Sequence, residues 1–238
     1  MANLVRERTD QRKSALIAGT SLIIMTLAAS FSYGFAHGSL VVHGNVSATF
    51  NNILSSTILF KAEIFGWLII LICDIVVAWA FFIFMKPLSK NLSLLAAWLR
   101  LTYATILGLA ILNLVVVMLL TNGSNYLSAF DTDQLQAQVM LFLEAFEVIW
   151  SIGLIIFGVH LFVVGYVASK SESIPKIISI LLLVASIGYI LTHLCKTFLP
   201  QYDAFMLLDF VFILPMIVGE LGFGLWLLFR GGKVSTMK

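Results

Sequence analysis

Few side chains in this 238-residue chain can do acid–base or ion chemistry: 12 Asp and Glu, 14 Lys and Arg, and 4 His. Several stand where charge is least welcome. Arg100 interrupts the run "SLLAAWLRLTYATILGLAILNLVVVMLL" at 93–120, where a lone arginine costs roughly 2.5–3.5 kcal/mol on insertion scales. A partner is therefore required. Counting about 1.5 Å per helical residue from the nearest basic flank, Arg100 lies about 15 Å beyond Lys90. His160 stands equally far before Lys170, Glu220 before Arg230, and Asp74 slightly farther before Lys86. Four ionisable groups from four apolar runs thus share one depth. Buried charges in bilayers face the bundle interior and pair, so Asp74, Arg100, His160 and Glu220 are expected to form one polar core. The guanidinium fork suits two carboxylates. With Arg100 against Asp74 and Glu220, charge balance needs one more proton, on His160 or on a carboxyl.

Helical phase predicts a second layer. Glu63 and Asp74 are eleven residues apart and share a face, as do Asp209 and Glu220. Ser179, Ser186, Tyr189 and His193 line one side of the fifth run, with Lys196 adjacent. Glu144 and Glu147 share a side from which His160 is rotated away. The expected outer polar cluster is Glu63, Glu144, Glu147, His193, Lys196 and Asp209. Its carboxylates and His193 invite a metal reading, but "EAFE" lacks the Glu-x-x-His pairing of di-iron bundles, so no metal is assigned. His160 and His193 lie at depths about 10 Å apart, which excludes axial ligation of one haem; no cofactor is called for. Neither G-x-S-x-G nor H-E-x-x-H occurs.

The elements that must position these groups are read from hydropathy. The chain is 61% hydrophobic and 11% charged, against about 25% charged in ordinary soluble domains. Hydrocarbon must solvate much of its surface. Six runs are long enough to span: about 14–36, 62–85, 92–120, 137–168, 176–199 and 204–229. The expected fold is an all-α polytopic transmembrane bundle forming a single integral membrane domain over 1–238. Lys and Arg divide eleven to two between alternate sides, excluding Arg100. That predicts both termini cytoplasmic. "NVSATFNNILSSTILF" reads as an amphipathic interfacial helix or a plain loop. Pro215 predicts a kink in the sixth run, and "VGELGFG" supplies small residues for close helix approach. Cys73 and Cys195 read as small buried hydrophobes. A net charge of +2 without a basic tract excludes a nucleic-acid surface.

The segments "KPLSKNLSLLAAWLRL", "FGVHLFVVGYVASKSESIPK", "IGYIL" and "GELGFGLWLLFRGG" resemble those of bacterial membrane proteins grouped as domain of unknown function 4386. The resemblance makes Asp74, Arg100, His160 with Gly165 and Tyr166, Pro175, and Glu220 with Trp226 the characteristic positions. It implies a multi-pass protein of the bacterial cytoplasmic membrane and carries no activity. Three functions stay open. One is a transporter-like or sensor-like unit binding a proton, ion or small solute. Another is a membrane-embedded enzyme acting on a lipid or lipophilic substrate, with His160 and Glu220 as acid and base. The third is a structural or accessory protein. The lipid bilayer is the partner that composition requires; substrate and oligomeric state stay open.

Overall fold

The computed structural model describes residues 2–199 and 204–232. Among them the regular structure is helical. Helix α1 runs from Ala2 to Leu40 and changes winding on the way: α-helical over Ala2–Ala29, π-helical over Ser30–His37, and α-helical again over Gly38–Leu40. There follow α2 (Val46–Ser55), α3 (Thr57–Met85), α4 (Lys90–Leu120), α5 (Thr132–Ser169), α6 (Lys176–Phe198) and α7 (Ala204–Arg230), with a short 3-10 turn at Asn125–Ala129. Among the described residues six helices are long and apolar enough to cross a membrane: Thr9–Leu40, Thr57–Met85, Lys90–Leu120, Thr132–Ser169, Lys176–Phe198 and Leu208–Arg230. Their most apolar windows are only 28% to 56% buried. The remainder of that surface needs hydrocarbon around it, as in a multi-pass membrane protein.

The ends of the helices show why the chain breaks where it does. Asn45 caps α2, its side chain accepting from the Ala48 N–H at 2.9 Å, an interaction worth about 1 kcal/mol. Of the amphipathic face expected there, Phe50 and Ile53 are buried, whereas Leu54 and Ile58 are exposed. Helix α3 begins at Thr57, five residues before the expected span. At the start of α5, the Gln134 side chain reaches back to the Asp131 N–H at 3.1 Å, half of a capping box. Pro175 stands immediately before α6, where its missing donor is not needed. Pro215 lies inside α7, which continues as helix on both sides of it.

The helices contribute to two compact units. The first comprises the described parts of Met1–Ile24, Ile72–Thr105 and Ser151–Lys238. Here α1 and α7 approach closely: a Cβ on Gly19 would stand 2.7 Å from Leu228 Cγ and 2.8 Å from the Gly224 carbonyl oxygen. Of the three glycines around Glu220, Gly219 faces the Leu181 backbone and Gly224 faces Leu22, while Gly222 has nothing within 4 Å. Close packing therefore explains two of the three. Arg12 donates from Nη1 to the carbonyls of Leu227 and Gly231 and from Nη2 to that of Leu228. It caps the final turn of α7 with a cation where the helix dipole favours one. The second unit comprises Met25–Leu71 and Ile106–Trp150. In it the π-helical stretch of α1 meets α3, and Gly66 leaves room for Ser32: a Cβ there would overlap Ser32 Oγ.

Candidate functional site

In the first unit α3, α4 and α5 bring Asp74, Arg100 and His160 together with almost no exposure (0%, 1% and 0%). Arg100 Nη2 lies 2.7 Å from Asp74 Oδ1, and Nη1 lies 3.3 Å from His160 Nε2. His160 Nδ1 lies 2.8 Å from the Ala96 carbonyl oxygen. A carbonyl only accepts, so Nδ1 carries the proton. Nε2, facing a guanidinium that only donates, is the acceptor. The geometry thus assigns His160 the neutral Nδ1–H tautomer. Phe81 and Phe157 place their rings 5.7 Å and 5.2 Å from the guanidinium carbon, within cation–π range. This assembly answers the arginine: one carboxylate, one imidazole acceptor and two ring faces.

Glu220 lies within electrostatic reach of Arg100 and Asp74, as its depth suggests, while its hydrogen bond goes to another helix. Its Oε1 accepts from the Tyr189 hydroxyl at 2.7 Å, linking α6 and α7. The Tyr189 ring packs edge-on against Phe157 and stacks on His193. His193 Nδ1 lies 2.8 Å from Ser151 Oγ on α5, to which the Thr197 hydroxyl donates at 3.2 Å. Both ring nitrogens of His160 are thus engaged, and Glu220 accepts from Tyr189.

The expected outer cluster is divided. His193 and Lys196 fall in the first unit and are half-buried, while Asp209, in the same unit, is exposed. Glu63, Glu144 and Glu147 fall in the second, where Glu144 is exposed. Glu63 and Glu147 flank a residue that sequence reasoning missed. His37, 5% exposed, lies with Nδ1 2.8 Å from Glu63 Oε1 and Nε2 3.4 Å from Glu147 Oε1. It occupies the last position of the π-helical stretch, a form of winding frequent at functional sites. Tyr33 stacks on it at 5.5 Å, and Tyr33, Trp67, Phe146 and Trp150 pack edge-to-face around it. Glu63 Oε2 and Trp67 Nε1 are buried without a hydrogen-bond partner, and so is Ser32 Oγ. Asp74 Oδ2 shares that condition in the first unit. Among the described residues no group of three or more His, Cys, Asp or Glu side chains is arranged to hold a metal ion.

A protein of Archaeoglobus fulgidus, described as uncharacterised, is 31% identical over 175 residues that cover 74% of this chain and 87% of that protein. No solved structure matches the chain. The family model described as domain of unknown function (DUF4386) matches residues 17–231. The chain belongs to that family.

Proposed function

We propose that this protein is a transporter-like or sensor-like membrane unit whose polar interior binds a proton, an ion or a small solute. The observation that carries the reading is that each unit buries a carboxylate oxygen for which the structure shows no hydrogen-bond donor, Asp74 Oδ2 in the first and Glu63 Oε2 in the second. A buried polar atom left unpaired costs about 1–3 kcal/mol, and more when charged. Such atoms persist where something else takes the bond. Within a membrane span, buried ionisable groups commonly mark ion pathways and proton relays. The Arg100 assembly also holds α3, α4 and α5 in register, but a purely structural role leaves the two oxygens unexplained. The working orientation has both termini in the cytoplasm of a prokaryotic cell, as the basic flanks indicate. Arg12 at the end of α7 is consistent with both flanks lying on one side.

The test is unfolding of the purified protein in lipid nanodiscs, in sodium chloride against N-methylglucamine chloride and across a pH series. A ligand present at 100 times its Kd stabilises by about 2.7 kcal/mol. The reading expects sodium or pH to move the wild-type midpoint, and the Glu63→Gln/Asp74→Asn double variant to lose that response. An equal response in both proteins overturns it.

A further inference from the structure

We infer that Glu147, His37 and Glu63 form a proton-loading relay, in which the partly exposed Glu147 takes up a proton and His37 passes it to the buried Glu63. The inference rests on the ligand-binding reading above and names the proton as the ligand in the second unit. It stands first on geometry. Each ring nitrogen of His37 faces one carboxylate oxygen, Glu63 Oε1 from α3 and Glu147 Oε1 from α5. Contact between such lone-pair atoms is attractive only with a proton between them. The Nδ1–Glu63 contact therefore holds one proton, on the ring or on the carboxyl, while Nε2, 3.4 Å from Glu147, makes no hydrogen bond and is open to a second. The cluster thus contains a proton that can move along the Nδ1 contact, and a ring nitrogen placed to receive the next one from Glu147.

The burial gradient gives the direction. The Glu147 side chain is 23% exposed, that of His37 6%, and that of Glu63 not at all. The contact on the Glu147 side is the looser, 3.4 Å against 2.8 Å, so the open step lies at the exposed end. The transfer balances: the Glu147 carboxyl gives its proton to Nε2, and Nδ1–H gives its proton to Glu63 Oε1. This leaves a Glu147 carboxylate, the Nε2–H tautomer of His37 and a neutral Glu63 carboxyl. No heavy-atom bond changes. Tyr33 stacks on the imidazole, and the Phe146 ring lies 6.0 Å from it. The groups with charge that face His37 are Glu63 and Glu147, and Tyr33 faces it from its own helix. The unpartnered Oε2 of Glu63 and Nε1 of Trp67, one turn apart on α3, mark where the proton's arrival would be felt.

The experiment is infrared difference spectroscopy of the full chain in nanodiscs between acidic and alkaline buffers, read at the carboxyl C=O stretch, with hydrogen–deuterium exchange of that band followed in time. Wild type is expected to show a protonated-carboxyl band that Glu63→Gln removes and Glu144→Gln, at an exposed position, leaves. Exchange of the band should slow roughly 10²-fold in His37→Gln and in Glu147→Gln, the usual contribution of one positioned proton-transfer group. A band that survives Glu63→Gln, or wild-type exchange in both His37→Gln and Glu147→Gln, overturns the relay. Should Glu63→Gln not fold, Glu63→Asp must shift the band, and an unshifted band overturns the assignment equally. Asp74→Asn, outside the relay, leaves the Glu63-dependent band and its exchange intact, so failure of the relay and failure of ion-dependent stability are separately visible.

Discussion

Replacing Arg100 by Leu keeps the apolar character of α4 and removes one charge from an assembly that is shut off from solvent. Asp74, 0% exposed and 2.7 Å from the lost guanidinium, is then a buried carboxylate without its counter-ion. Breaking a buried pair from one side costs about 3–5 kcal/mol. The reciprocal Asp74→Leu strands the guanidinium instead, with two rings and the His160 acceptor still around it, and falls in the same range. The double variant removes both charges. It still leaves His160 Nε2 without its donor, a penalty of about 1–3 kcal/mol for one unsatisfied buried acceptor. The double should therefore be more stable than either single, which is the signature of direct coupling. Equilibrium unfolding in lipid nanodiscs, followed for wild type, both singles and the double, measures this. Singles within about 0.5 kcal/mol of wild type, the range of ordinary surface changes, would refute the buried pairing. So would a double as costly as the sum of the singles.

Three further outcomes follow from other contacts. Tyr189→Phe keeps the ring against Phe157 and His193 and deletes the hydroxyl donor to Glu220; leaving that acceptor unsatisfied should lower stability by about 1–3 kcal/mol, read as a drop in unfolding midpoint. Gly66→Ala forces a Cβ into Ser32 Oγ and should cost about 1–3 kcal/mol as overpacking, while adding Ser32→Ala, which deletes that oxygen, should restore most of it. Gly222→Ala has open space around its Cβ and should stabilise α7 by up to about 1 kcal/mol through helix propensity, whereas Gly19→Ala, 2.7 Å from Leu228, should destabilise; unfolding midpoints of the pair decide it.

The grouping of Asp74, Arg100 and His160 is legible in the sequence because depth along a regular helix is a matter of counting, and a charge in hydrocarbon must pair. Glu220 shows the limit of that method. Equal depth places it in the same layer, but helix rotation gives its carboxylate to Tyr189, and rotation about an axis is set by packing. His37 is harder still. It ends a π-helical stretch, whose wider turn alters the angular position of each residue, and a phase argument at 3.6 residues per turn places such a residue on the wrong face. Glu144 and Glu147, expected to act together, sit about 60° apart around α5 at that pitch. That was enough to expose one and turn the other onto His37. The six spans survive every such error, since they depend on composition over some 20 residues. The expected start of the second span at 62 fell short because Asn52 and Thr49 bond the backbone of Leu40 and Val42, folding the amphipathic segment against the end of α1 and letting α3 begin at Thr57.

The most direct test of a ligand-accepting polar interior is a high-resolution experimental structure in lipid nanodiscs, read at Asp74 Oδ2 and Glu63 Oε2. The account predicts that at least one of these oxygens faces density from a non-protein group or stands without a protein donor. Protein donors on both, within ordinary hydrogen-bond distance, would make the interior self-satisfied and contradict it.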